Sequence, residues 1–552
     1  MPFGAFPPFD WPRSRARSFL PPRAGWRPAK GVLNEHRGRP LDGGAGGGEA
    51  EWFDTDGRRA RPDTAPEEEP ERAVVFSSII FIFYFLPVFL LGYYVSGWRA
   101  GALLVGSVAF YVWGEGAYIA LLGGLIALNY AGSLWIARTP AGRRRLAILV
   151  GLVLADFGVL GFFKYAGFLA SNLNAVLPGA PVPVVEVALP LGISFFTFQL
   201  VSYVVDVHRG SVKVERDPIR FAAYILMFPH LIAGPIVRYA DIRDEMHADR
   251  RKAGHIGLGV QYFIVGLSQK VLIANVVAPL ADHAFAASLA DLGAVAAWIG
   301  IWAYSLQIYF DFCGYSNMAI GLAFMMGFTF PKNFDYPYLS RSITEFWRRW
   351  HMSLSSWFRD YVYIPLGGNR GGRWMTVRNL LIVFFLTGLW HGAAWQFIVW
   401  GLYHGAFLML ERFGLGRLLE RAPRVAGHVY AIGVVMVGWV FFRADSLPHA
   451  LGYIGAMFDP ARFAWADLEL RVLADAQVIG ALVLGSLFAF PLLPFLLERL
   501  RTPRAEAPGD VPARLDTRSV HALPTPVLAV AFLLSIALLM GSTLNPFLYF
   551  RF

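Results

Sequence analysis

The sequence predicts an all-α polytopic membrane protein, and three observations carry that expectation. Of the 552 residues, 56% are hydrophobic and only 16% charged, whereas soluble domains run at roughly 45–50% and about 25%. Aromatic side chains make up 15% of the chain, with 46 Phe and 17 Trp, which suits lipid contact and interfacial belts. From Val74 onward apolar runs follow one another, enough for roughly 11–14 membrane segments at about 20 residues per crossing. The lone cysteine, Cys313, excludes a disulfide framework, a Cys-rich metal site and an iron–sulfur cluster. Between Phe312 and Gly314 it reads as a small buried packing residue.

Residues 1–73 differ in kind from the rest. They are rich in Pro, Gly, Arg and acids (Pro21-Pro22-Arg23, Gly43 to Gly48, Glu67-Glu68-Glu69-Pro70) and lack amphipathic period. Such a composition predicts a disordered N-terminal extension. With no apolar core near Met1 it is not a signal peptide. The alternative is a misplaced start: Val74 or Val75 read from a GTG codon, with GAG-rich DNA at Glu67–Glu69 serving as the ribosome-binding site. Residues 74–552 then form the single membrane domain. The extension is neutral, with 12 basic and 12 acidic residues, so the net charge of +10 falls on residues 74–552, with 37 against 27. In a membrane protein that points to Arg-rich cytoplasmic loops, not to nucleic acid.

The apolar runs lie at about 74–95, 99–113, 117–136, 146–163, 184–206, 219–237, 256–281, 294–330, 377–412, 428–442, 477–497 and 523–541. Two of them, 294–330 and 377–412, are long enough for two spans each. Arg138 with Arg143-Arg144-Arg145 marks one short loop as cytoplasmic, and the Arg-rich stretches near 411–424 and 498–518 are further candidates. No long-period repeat stands out, which counts against an inverted-repeat transporter. The stretch 331–373 breaks the pattern with Arg341, Arg348, Arg349, Arg359, Arg370 and Arg373. Within it Phe346, Trp350, Leu354, Trp357 and Tyr361 recur at helical spacing, an apolar stripe under a charged face. Ser342 to Glu345 has capping-box spacing for the start, and Pro365-Leu366-Gly367-Gly368 ends the helix. Such a helix lies in the interface or re-enters the protein.

Ionisable groups inside apolar runs are the candidates for chemistry. His391, in Gly388-Leu389-Trp390-His391-Gly392, is flanked by glycines that allow backbone or ligand to approach; its alternative is an interhelical hydrogen bond. His351 lies off the apolar stripe, either lining the mouth of the same cavity or on a solvated face. His404 and His230 read as structural. Asp311, in Tyr309-Phe310-Asp311, needs a partner, either an arginine from 341–373 or a histidine that it orients. No G-x-S-x-G elbow, Walker loop, H-E-x-x-H or Rossmann glycine pattern occurs.

The segment Phe346-Trp347-Arg348-Arg349-Trp350-His351-Met352-Ser353-Leu354-Ser355, continuing through Trp357-Phe358-Arg359-Asp360-Tyr361 to Asn369-Arg370, resembles the membrane-bound O-acyltransferase family in its bacterial alginate O-acetyltransferase branch. Gly388 to Gly392, Val75 to Ser78, Phe228-Pro229 with Ile232 to Arg238, and Gly438 to Ala444 extend the resemblance over about 74–552. It implies a helical fold around a central funnel or tunnel, with re-entrant helices. His391 is then the catalytic histidine and His351 the second signature histidine, with Asp311, Arg348, Arg349 and Trp390 as supporting candidates. Relatives often carry Ser and Asp where this chain has Cys313 and Asn317, so no acidic role transfers to position 317. The final Phe547-Leu548-Tyr549-Phe550-Arg551-Phe552 is similar to a tail of polysaccharide-acylating members, which makes Tyr549 the acyl-carrier candidate.

The resemblance implies an O-acyltransferase, multi-pass in the bacterial cytoplasmic (inner) membrane, that moves acetyl from a cytoplasmic donor to an extracytoplasmic, alginate-like polysaccharide. The donor substrate expected is acetyl-CoA, with no bound cofactor and no metal. The partners expected are a periplasmic or surface-tethered acetyltransferase with a serine nucleophile, the exopolysaccharide synthesis machinery and membrane lipid. Peptidoglycan or cellulose acetylation, D-alanyl transfer and a non-catalytic channel or transporter are the alternatives.

Overall fold

The computed structural model describes residues 76–179, 181–184, 187–248, 253–463, 473–491, 523–541 and 548. The extension 1–73, the Arg-rich 498–518 and Tyr549 lie outside the described residues. Regular structure among the described residues is helical. In chain order the helices are α1 (Phe81–Val95), α2 (Arg99–Glu115), α3 (Tyr118–Arg138), α4 (Arg143–Val176), α5 (Ile193–Arg209), α6 (Pro218–Leu226), α7 (Phe228–Leu231) and α8 (Tyr239–His247). Next come α9 (Ala253–Gln269), α10 (Asn275–Ala286), α11 (Ala294–Met326), α12 (Ile343–Arg349), α13 (Met352–Phe358), α14 (Gly372–His391) and α15 (Trp395–Leu410). The last are α16 (Gly416–Arg421), α17 (Arg424–Arg443), α18 (Leu447–Phe458), α19 (Ala476–Phe488) and α20 (Thr525–Met540).

Four stretches are long and apolar enough to cross a membrane by length and composition alone: α3, α4, α17 and the His255–Ala286 helix, in which a π turn at Lys270–Ala274 joins α9 to α10. Helices α1, α19 and α20 are apolar but shorter. Proline and glycine account for part of the difference from the number of apolar runs. The 219–237 run, for instance, is cut at Met227 into α6 and the single-turn α7 and ends at Gly234-Pro235. The 294–330 run, long enough for two spans, is one continuous helix, α11, with no proline to break it. The 377–412 run does divide, at Gly392 between α14 and α15.

Small residues set the central packing. A Cβ at Gly259 would meet the Gly321 carbonyl oxygen at 2.6 Å, and one at Gly266 would overlap that of Gly314. These two pairs, each spaced by seven residues, run antiparallel along a seam where α9 and α11 touch backbone to backbone, as close helix packing in lipid requires. One turn further on, the same seam brings Lys270 to Asp311, at 2.6 Å. Helices α14 and α15 pack in the same manner, since a Cβ at Gly388 would overlap the Phe397 carbonyl oxygen and one at Gly401 that of Phe384.

Helices α4 and α5 fix the depth of the site. They are antiparallel: Arg145 Nη2 donates to the Val207 carbonyl at 3.0 Å, and Phe157 meets Phe198 with ring centroids 6.4 Å apart. Position 164 on α4 therefore stands about 28 Å along the helix from Arg145, at 1.5 Å per residue. That is close to the ~30 Å of a bilayer's hydrocarbon core.

Candidate functional site

The stretch 342–363 is broken where a single helix was expected. Ser342 Oγ accepts from Glu345 N–H at 3.0 Å and starts α12. The reciprocal arm differs from a capping box, because Glu345 Oε2 takes the Arg341 N–H (3.0 Å) instead of that of Ser342. After Arg349 the chain leaves the helix, and His351 takes a left-handed conformation, φ 44° and ψ 54°, before α13 begins. For a non-glycine residue that conformation costs about 1–3 kcal/mol and persists only where the surroundings hold it. Asn333 does so: its carbonyl takes the Met352 N–H at 2.9 Å, and its Oδ1 takes the Ser353 N–H at 3.3 Å. The apolar stripe is buried on both sides of the break at Phe346, Trp350, Leu354 and Trp357, so the segment re-enters the protein. Positive φ at Gly367 and Gly368 ends it.

His351 is fully buried. Its Nδ1 lies 3.1 Å from Asn333 Oδ1. Because that atom also accepts from the Ser353 N–H, an obligate donor, it is an oxygen, and the imidazole must donate from Nδ1. Asn333 is held in turn by its Nδ2–H bond to Ser316 Oγ, 3.0 Å. Nε2 therefore keeps its lone pair, and it has no hydrogen-bond partner among the described residues. Phe312 of α11 packs edge-on against the ring at 4.7 Å.

His391 closes α14 and is buried. Its ring sits among Trp390 (4.9 Å), Trp400 (4.9 Å) and Phe442 (5.1 Å). Trp390 links the two histidines, since His351 lies 6.2 Å from the same indole. Trp390 stacks on Phe198 of α5, and Phe198 stacks on Trp357 of α13 at 3.8 Å, so three elements meet there.

The other candidates divide. Among the described residues, Asp311 pairs neither with an arginine of 341–373 nor with a histidine. It meets Lys270 at 2.6 Å, and its Oδ2 accepts the backbone N–H of Leu548 at 2.8 Å. The register of the α9–α11 seam, not sequence proximity, decides that partner. Arg349 braces Glu345 at 3.0 Å and the Asp335 carbonyl at 3.0 Å. Arg348 is exposed and makes no ion pair among the described residues. His404 is fully buried between Trp347 and Trp400, each ring at 5.3 Å. His230 Nε2 bonds the Tyr224 carbonyl at 2.8 Å. Cys313 is buried beside Asn317, whose Nδ2 donates to Gln269 at 2.8 Å.

At the Arg145 end of α5 lies a charged cluster. The Arg209 and Arg238 guanidinium groups stand 5.2 and 5.3 Å from the Tyr361 ring, and the Tyr361 hydroxyl donates to Asp206 at 2.7 Å. Burial raises the Asp360 pKa, but the hydrogen bond from Arg359 and the charges of Arg238 and Arg359 outweigh it and hold the carboxyl below its usual range. At the other end a cavity of about 590 Å³ opens beside Lys164, between Phe163, Phe168, Ser171, Ala188 and Ala393. Sequence reasoning missed Lys164, Asn333 and Lys270. The signal for Lys164 was present: a lone lysine directly after the apolar run 146–163.

Residues 191–447 match the model of MBOAT, the membrane-bound O-acyltransferase family. The chain is 42% identical to the probable alginate O-acetylase AlgI of Azotobacter vinelandii, over 87% of this chain and 100% of that protein. The chain belongs to the membrane-bound O-acyltransferase family. It is a membrane O-acyltransferase. It is also 35% identical to a peptidoglycan O-acetyltransferase of Helicobacter pylori (70% of this chain, 80% of that one). A teichoic acid D-alanyltransferase of Bacillus subtilis is 34% identical over 40% of this chain and 59% of its own length. Family members thus carry different acyl groups to different acceptors.

Proposed function

We propose that this O-acyltransferase moves acetyl from cytoplasmic acetyl-CoA across the bacterial inner membrane for O-acetylation of an extracytoplasmic, alginate-like polysaccharide. The observation that carries the reading is the pair His351 and His391, buried about one indole in a ring of aromatic side chains, with the Nε2 of His351 unpartnered among the described residues. The positive-inside rule assigns the Arg143–Arg145 end to the cytoplasm. The donor then enters beside the Arg209–Tyr361–Arg238 cluster, and the cavity beside Lys164 is the outward opening.

His391 acts as general base. Tyr549 is the acyl carrier, and its neighbour Leu548 is tied to Asp311, which adjoins the Phe312 that packs on His351. A phenol with pKa near 10 attacks poorly unless a base takes its proton during attack. As the Tyr549 oxygen bonds the thioester carbonyl carbon, His391 accepts the phenolic proton. The carbon–sulfur bond breaks, and CoA leaves as a thiolate that recovers the proton from the imidazolium. A serine of a separate periplasmic or surface-tethered acetyltransferase then takes the acetyl from the tyrosyl ester, restoring the phenol, and passes it to the polysaccharide as it emerges from the synthesis machinery. His351 offers its Nε2 to a hydroxyl or amide N–H of donor or acceptor.

The test is ester-linked acetate on surface polysaccharide in wild type, a deletion strain and strains complemented with wild type or His391→Ala at matched protein levels. Acetate is expected to vanish in the deletion, to return with wild type and to stay absent with His391→Ala. Full restoration by His391→Ala would make that residue a packing residue. Unchanged acetate in every strain would refute acetyl as the group carried.

A further inference from the structure

His391 is the last residue of α14, and the last four carbonyls of a helix have no partner within it. Trp390 and His391 are buried, and a buried carbonyl without a partner is costly. Here each has one. The Gly388 carbonyl takes the Gly392 N–H at 3.3 Å, the only pairing supplied by the helix's own continuation. The other three carbonyls are served by two side chains of α4. Tyr165 OH donates to the Leu389 carbonyl at 2.8 Å, and Lys164 Nζ donates to the carbonyls of Trp390 (2.7 Å) and His391 (3.1 Å). One amino group thus grips the backbone of His391 and that of the tryptophan joining it to His351.

We propose that Lys164 is a positioning residue for His391, which fixes the imidazole by holding the final turn of α14 from across the α4 contact. The proposal rests on the acyl-transfer reading for its effect on activity and on the geometry alone for its effect on α14. A point charge with three donors is suited to that role. Two N–H groups serve the two carbonyls, at the end of α14 where the helix dipole favours a positive charge. The same side chain forms part of the wall of the cavity that reaches Ala393, two residues beyond His391. The group that sets the geometry of the base is therefore at the outward opening of the site. Tyr165 has a lesser share, because its bond stops at Leu389.

The experiment uses the full chain, in cells for ester-linked acetate and in lipid nanodiscs for amide hydrogen exchange across residues 385–395. Lys164→Met removes charge and donors while keeping an unbranched apolar chain. Lys164→Arg keeps both charge and donors, and Lys164→Gln keeps two N–H donors without charge. Loss of a charge-assisted hydrogen bond predicts an acetate decrease of about tenfold or more in Lys164→Met at matched folded protein, with exchange faster by a similar factor. Lys164→Arg is expected to rescue both readouts to within about threefold, since the guanidinium still reaches a carbonyl. Should Lys164→Met fail to fold, Lys164→Gln takes its place, with a smaller decrease in the same direction. Wild-type acetate in Lys164→Met, or lost acetate with exchange unchanged at 385–395, overturns the proposal. If wild type itself transfers no acetyl, the acyl-transfer reading fails, and the exchange measurement still decides whether Lys164 holds the end of α14.

Discussion

Replacing Asp311 by asparagine removes the carboxylate that stands 2.6 Å from the Lys270 ammonium, where the two side chains are 1% and 6% exposed. Breaking a buried ion pair by changing one partner costs about 3–5 kcal/mol, whereas replacing both partners by apolar residues of similar size is often neutral or stabilising. Asp311→Asn and Lys270→Met should therefore each lower the folded fraction, and Lys270→Met/Asp311→Leu should restore it. The double variant still lacks the second bond of Asp311, the one that accepts the Leu548 N–H at 2.8 Å. A hydrogen bond to a charged group contributes about 1.5–3 kcal/mol. At ~1.4 kcal/mol per factor of ten, the held position of Leu548 becomes about ten- to a hundredfold less populated. Fluorescence-detected size exclusion after a heat step reads the folded fraction, and ester-linked acetate per folded protein reads transfer. The expected result is a stable double variant with acetate down by that factor. A stable double variant with wild-type acetate would refute the assignment of the tie at Leu548 to tail positioning. Single variants as stable as wild type would refute the stabilising role of the pair.

Three further outcomes are expected. Gly388→Ala should lower folded yield by forcing α14 from α15, an overpacking cost of about 1–3 kcal/mol, while Gly123→Ala, with nothing within 4 Å of the added carbon, should match wild type in the same size-exclusion assay. Asn333→Ala removes the acceptor that holds the His351 tautomer and the side-chain bond to Ser353. At a loss of about 1–3 kcal/mol, acetate per folded protein should fall about five- to a hundredfold, and an unchanged value would detach Asn333 from the chemistry. Ser171→Trp places an indole in the cavity beside Lys164 and should reduce acetate without changing heat stability, whereas wild-type acetate would show that the outward opening lies elsewhere.

The helical membrane fold was legible because composition and apolar runs are properties of the chain alone. His391 and Trp390 were legible too, as a histidine and an indole between two glycines in an apolar run. The break at His351 was not. The apolar stripe keeps helical spacing from Phe346 to Trp357, straight through the break, so periodicity reads one helix. What bends the chain is Asn333, eighteen residues earlier, which takes the N–H groups of Met352 and Ser353. Asp311 was recognised as a charge in need of a partner, but its partner depends on the register of two helices held together by Gly259, Gly266, Gly314 and Gly321. Registers of that kind belong to tertiary packing, and no window of sequence contains them.

A common physical cause lies behind Asn333 and Lys164. A catalytic side chain at membrane depth is aimed most freely from a helix end or a break, where the backbone departs from the regular spiral. Each such departure leaves carbonyl or N–H groups without helical partners, and where they are buried they must find others. The fold must then bring a polar side chain from a different part of the chain to each exposed group. Two sets of polar residues beside the apolar runs are complements of such breaks. Asn333 answers the one at His351, and Lys164 with Tyr165 answers the end of α14 at His391. A lone lysine beside an apolar run is then as strong a pointer to the site as the histidine it serves. Swapping Lys164 for methionine should disturb His391 more than it disturbs α4, the helix that carries it.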